Sequence, residues 1–228
     1  STFTGKAVYE EYWHEDCAEE WDDYDRPIGG DVVVGIDTTG LNPGAVFVIV
    51  EDGGILQVDE LVAEDMPFLT FRDAVLLPKI RTRFAEAKVL CVCDPANPRD
   101  SRVGITPVTD LRAVGVHAIS AMTNTFKPRF EAVVHFLERR RGYRVTKNCN
   151  VTITGFQGGY RYRKLETQGN VTAYSTEPVK DKYSTAHDAL QYASLYLRRG
   201  PDADSQRDRG TQLQRKINLH NRKPRRWA

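Results

Sequence analysis

Three aspartates stand where a fold could put them to chemical use. Asp37 closes the apolar run Val32-Val33-Val34-Gly35-Ile36, and Asp94 closes Val89-Leu90-Cys91-Val92-Cys93. Asp188 falls in the first turn of a C-terminal helical stretch that opens at Ser184-Thr185. Groups at strand ends beside a crossover line the usual ligand crevice of open α/β sheets, and a helix N-terminus favours an anion. The chain has no Ser/His or Cys/His pair at catalytic spacing, no CxxC and no HExxH, so thiol, triad and structural zinc chemistry have no carriers. Three acids without such partners suggest hard oxygen ligands for Mg²⁺ or Mn²⁺. Each acid alone also reads as an ordinary turn or cap residue, and only a fold can bring the three together.

The elements that must position them follow from pattern. Residues 32–36, 45–50 and 55–62 read as three consecutive antiparallel strands, the last two joined by the turn Glu51-Asp52-Gly53-Gly54. A helix is expected from Thr70 to about Ala87, kinked or divided by Pro78. A buried strand over 88–93 follows, then a helix opened by Thr106-Pro107 and closed by Gly115, then a strand over 116–119. Phe130, Val133, Val134 and Leu137 share one helical face, and Gly142 ends that helix. Propensity favours short strands at 151–156, 160–165 and 171–174, before a final helix from Ser184 to Leu197. The order is that of an α/β fold with a mixed sheet.

Composition sets outer limits. The chain has 228 residues, with 40% hydrophobic and 28% charged, which excludes collagen-like and wholly disordered classes. No apolar run approaches the roughly 18–20 residues that span a bilayer, and no charged-then-apolar leader opens the sequence, so a soluble chain without a membrane partner is expected. Four cysteines without framework spacing read as reduced thiols, and the glycosylation-like Asn150-Val151-Thr152 and Asn170-Val171-Thr172 as chance. The net charge of +1 is an average over unlike parts. Residues 1–31 hold ten acids against two bases, whereas 200–228 hold eight bases against three acids. The expected organisation is an acidic N-terminal arm (1–30), a folded domain (31–199) and a basic, mobile tail (200–228).

With these residues in view, the sequence resembles the ribonuclease H-like superfamily, and more closely the C-terminal nuclease domain of the large terminase subunit of tailed bacteriophages. The resemblance is carried by Thr2–Tyr9 as a first strand, Val34-Gly35-Ile36-Asp37 with Asn42-Pro43-Gly44-Ala45, Asp94-Pro95-Ala96-Asn97, and Lys180–Ser184 leading into His187-Asp188-Ala189-Leu190-Gln191-Tyr192-Ala193. It implies a ribonuclease H-like mixed sheet, a three-strand antiparallel meander plus parallel strands, flanked by helices. It also implies endonucleolytic cutting of concatemeric double-stranded viral DNA during packaging, in the cytoplasm of the infected bacterial host. Asp37, Asp94 and Asp188 match the family's metal-binding acids, which would hold two Mg²⁺ or Mn²⁺ ions about 4 Å apart. His187 and Lys180 take supporting places behind the acids, and residues 150–158 become a helix, against their strand propensity. The implied partners are duplex DNA, a terminase ATPase domain, the small terminase subunit and the portal protein. No Gly-x-x-x-x-Gly-Lys-Ser/Thr motif occurs, so the ATPase half is expected to be missing from this chain.

DNA contact would then fall to basic residues, with Arg161, Arg163 and Lys164 beside Tyr160 and Tyr162 as the first candidate patch and Lys127 with Arg129 as the second. Three other readings stay open on sequence alone. They are another nuclease of this fold, such as a junction resolvase or a ribonuclease; an actin-like nucleotide-binding domain, from Gly35–Gly40; and a non-catalytic DNA or portal docking module.

Overall fold

The computed structural model describes residues 3–21, 26–51, 53–95, 105–165 and 172–199. The strands in chain order are β1 (Lys6–Ala7), β2 (Ala18–Glu19), β3 (Gly30–Asp37), β4 (Gly44–Glu51), β5 (Gly54–Val62), β6 (Ala87–Cys93), β7 (His117–Ser120), β8 (Tyr143–Thr146), β9 (Arg161–Leu165) and β10 (Ala173–Pro178). Seven of them form one mixed sheet in the order β2-β8-β5-β4-β3-β6-β7, and β1-β9-β10 form a small second sheet. The meander β3-β4-β5 is antiparallel, while β6 and β7 continue from β3, and β8 from β5, in parallel. A parallel neighbour requires a crossover. Helices accordingly intervene: α1 (Phe68–Phe71) running through a wide π turn (Arg72–Leu76) into α2 (Leu77–Thr82), then α3 (Pro107–Ala113) and α4 (Phe126–Leu137).

Residues from the two faces of this sheet fall in two apolar clusters. Val32, Val34, Ile36, Cys91 and Cys93 pack with Phe71, Leu76, Phe84 and Leu111. Val33 and Val92 pack on the other side with Val133, Val134, Leu190 and Ala193. Alternation along each strand makes this possible, since neighbouring residues face opposite ways. Both faces are covered, which is why β3 and β6 read as unbroken apolar runs. On the second face lies α6 (Lys182–Arg199), the longest helix among the described residues, buried from Ser184 to Leu195. It lies close against β3 because Gly35 has no side chain, and a Cβ there would strike the Ala189 carbonyl.

Several expected elements take other bounds. The first helix starts at Phe68 after Pro67 and stops at Thr82. Its π turn ends just before Pro78, whose ring has no N–H to continue the ordinary ladder. The fourth helix ends at Leu137, five residues before Gly142, and β8, which pattern did not reveal, follows at once. Residues 150–157 are helical, α5 (Asn150–Thr154) running into a wide turn (Gly155–Gly159) that breaks at Gly158, where φ is +113°, so the strand propensity of 151–156 is overruled. Glu60 supplies one cause: its carboxylate accepts from the Val151 and Thr152 N–H groups and caps that helix. Residues 3–21 are drawn into the fold, with Tyr9 in the core and β2 paired to β8 at the sheet edge. The basic segment 200–228 lies outside the described residues.

Candidate active site

Two neighbouring strands deliver the first pair of acids. Asp37 is the last residue of β3, and Asp94 directly follows β6, whose Cys93 is in register with Ile36. The Asp94 N–H donates to the Ile36 carbonyl at 2.9 Å, which ties the two strand ends together. Thr39, two residues beyond Asp37, donates its hydroxyl to Asp37 Oδ1 at 2.7 Å and lies 3.2 Å from Asp94 Oδ2. One hydroxyl proton thus stands between two carboxylates. The third acid, Asp188, arrives on α6, and the close approach of that helix to Gly35 sets it over the end of β3.

The three charges feel one another. Burial pushes the Asp37 carboxyl up to about 6, and the Asp188 charge adds to the rise. Asp94 is also raised, chiefly by burial, although the Tyr192 hydroxyl donates to its Oδ1 at 2.8 Å and holds it back. Asp188 is 4% exposed and is paired on both oxygens. Arg129 Nη1 donates to Oδ1 at 2.8 Å and Lys180 Nζ to Oδ2 at 2.6 Å. The two cations differ in freedom, because the Lys180 side chain is 69% exposed and that of Arg129 only 8%.

The remaining sequence candidates are distributed differently from expectation. Lys180 touches Asp188 itself. His187 does not join the acids: its ring stacks on Tyr160 at 4.8 Å, Nε2 donates to the Thr152 carbonyl at 3.2 Å, and burial pushes its pKa down to about 3. A helix turns about 100° per residue, so the neighbour of an inward-facing acid looks elsewhere. Arg129 is no surface residue, being buried against Asp188 instead of facing solvent beside Lys127. Lys127 is exposed and pairs with Glu131 at 3.9 Å. Arg161 is bound to the Gly159 carbonyl and to Asp181, and Tyr160 is buried, which leaves Arg163 and Lys164 as the exposed basic pair on β9.

Sequence reasoning missed Thr39 and Tyr192 as partners of the acids, and it misplaced Arg129. Tyr192 did leave a signal, since it lies four residues after Asp188 and so on the same helical face. Thr39 left none beyond its closeness to Asp37.

Among the described residues, no group of three or more His, Cys, Asp or Glu side chains is arranged as a metal-binding cage. In kind, the donors still suit a divalent cation. Two carboxylates whose charged forms are disfavoured by burial and by a third charge form a set whose cost falls when positive charge enters. No protein-family model and no curated protein matches the chain. Solved structures do share its fold. The P22 large terminase nuclease domain superposes with a TM-score of 0.60 at 11% identity, over 87% of this chain and 95% of that one. The large terminase nuclease domain of bacteriophage SPP1, solved with bound Mn, gives 0.50 at 17% identity, over 81% and 96%. A large terminase from a thermophilic bacteriophage, in complex with ATP-gamma-S, gives 0.63 at 13% identity over 86% of this chain, which spans 46% of that protein.

Proposed function

We propose that this chain, which has the ribonuclease H-like fold of the large terminase nuclease domains, is itself a metal-dependent endonuclease for double-stranded DNA. The observation that carries the reading is the meeting of Asp37, Asp94 and Asp188 where β3, β6 and α6 converge, with Thr39 between the first two. By likeness to the large terminases, the DNA cut would be concatemeric viral DNA at packaging. The partners would be an ATPase domain, a small terminase subunit and a portal protein. The Mn bound in the SPP1 domain supports a divalent ion as cofactor.

Asp37, Asp94 and Asp188 are the residues that would hold Mg²⁺ or Mn²⁺. Bound there, a pair of such ions would supply the charge that activates a water and stabilises a departing 3′ oxygen. The chain's own contribution is placement. Thr39 and Tyr192 orient the Asp37 and Asp94 oxygens by donating to them. Arg129 fixes one Asp188 oxygen. Lys180, on its exposed stem, is the cation able to leave Asp188 for a phosphate. Arg163 and Lys164 on β9 offer a sequence-tolerant contact to the DNA backbone.

The ion pairs on Asp188 favour one rival, in which the acids are structural and the domain only docks. Plasmid cleavage in Mn²⁺ decides between them. The nuclease reading expects nicking and linearisation that EDTA stops and that Asp37→Asn, Asp94→Asn and Asp188→Asn each reduce at least 100-fold. Wild-type protein that cuts no faster than the three variants or the EDTA control would leave only the docking module. Preference for a four-way junction or an RNA–DNA hybrid over linear duplex would move the activity to another nuclease of the same fold.

A further inference from the structure

Arg129 is built into the site more firmly than a counter-ion needs to be. Its guanidinium donates through Nε to the Asn124 carbonyl at 3.1 Å, and through Nη1 to Asp188 Oδ1 and Gln191 Oε1, both at 2.8 Å. It also lies over the Tyr192 ring, 4.9 Å from the centroid. Asp188, Gln191 and Tyr192 stand three and four residues apart and so present one face of α6. That face grips the guanidinium by a charge, an amide and a ring. The Gln191 amide cannot turn freely, because its Nε2 donates to the buried hydroxyls of Tyr9 at 3.0 Å and Tyr160 at 3.3 Å. Tyr192 in turn donates to Asp94. One planar cation therefore touches Asp188 directly and reaches Asp94 through the ring beneath it.

Burying a guanidinium is costly unless it is fully paired. A cation this close to Asp188 and within reach of Asp94 also repels any divalent ion that enters. If Arg129 served charge balance alone, an exposed lysine would suffice, and Lys180 already provides one.

We infer that Arg129 is the positioning residue of the acid site, restraining the Asp188 carboxylate directly and the Asp94 carboxylate through Tyr192 for the approach of a divalent cation. The inference rests on the reading of these acids as a metal-dependent nuclease site. It assigns Arg129 to the acids instead of to DNA, and it gives a direction that charge alone would reverse. Removal of a nearby positive charge should tighten cation binding, whereas removal of a positioning group weakens it.

The test is Mn²⁺ binding by calorimetry and electron paramagnetic resonance without DNA, with cleavage kinetics alongside. Arg129→Gln removes the charge, and Arg129→Lys keeps the charge but loses the planar fork. Both are expected to raise the Mn²⁺ dissociation constant about 10-fold or more, as partners of metal-ligating residues commonly do. Both should also lower kcat while leaving KM for duplex DNA within about two-fold. Tyr192→Phe keeps the ring in the core and loses only the O–H to Asp94, so it guards against misfolding of the arginine variants. It should weaken Mn²⁺ binding several-fold. Unchanged or tighter Mn²⁺ binding in Arg129→Gln, or a rise in KM with kcat intact, would overturn the assignment. Loss of the nuclease reading itself would show separately, as an indifference of cleavage to Asp37→Asn.

Discussion

At the scale of single residues, the site is governed by what burial does to charge. Asp37 is 6% exposed and its carboxyl is pushed up to about 6 by burial and by Asp188. Between that value and the ordinary aspartate pKa near 4, the folded metal-free protein holds a proton that the unfolded chain does not. Its stability therefore rises as pH falls through that window. Asp37→Asn removes the cost, so the metal-free variant is expected to be more stable than wild type at pH 8, by about 1–3 kcal/mol. The advantage should shrink as pH falls through that window and be gone below about pH 4, and urea unfolding in EDTA across this pH range checks it. His187 works the other way. Held neutral by burial, it favours the folded state fully above about pH 6.5, and that contribution is lost as pH falls towards 3. With Asp37 replaced, the acid limb should fall more steeply than in wild type.

At the scale of elements, the contact of α6 with β3 decides whether the acids meet. Gly35 sits under Ala189, and Gly44 sits under Thr185, so two strand glycines form the bed of one helix. Gly35→Ala would drive a methyl group into the Ala189 carbonyl and lift the helix. Overpacking of this kind costs about 1–3 kcal/mol. Asp188 lies next to the point of contact, so cleavage should suffer more than folding does. The expectation is a loss of at least 10-fold in kcat with a cooperative unfolding curve retained. Wild-type turnover in that variant would show that the helix has slack. A similar bed occurs at Gly155, where a Cβ would meet the His187 ring, which accounts for a histidine that the sequence alone placed among the site residues.

At the scale of the whole molecule, three acids left near one another are a standing cost, and a divalent cation that binds only the folded state should repay it. Mn²⁺ at 100 times its dissociation constant adds about 2.7 kcal/mol of stability, so thermal melting should move upward by several degrees. The shift should vanish with EDTA or in Asp94→Asn, and a wild-type melt indifferent to Mn²⁺ would count against the site. Much of this arrangement was legible beforehand. The meander, the strand before Asp94 and the helix bearing Asp188 show in unbroken apolar runs and helical spacing, and the Thr106-Pro107 start is met by a Thr106–Thr109 capping box. What escaped depended on distant partners. Residues 151–156 have strand propensity, yet Glu60 caps them as a helix; Tyr143–Thr146 is too short to show a period; Arg129 reads as surface until Gln191 and Asp188 surround it. The helix that carries Asp188 is also the one most deeply sunk in the core, buried without a break from Ser184 to Leu195. Its amide protons should therefore exchange with solvent only when the entire domain opens. Loss of Mn²⁺ binding on heating and global melting should then trace a single curve, with no earlier, local failure of the acid site.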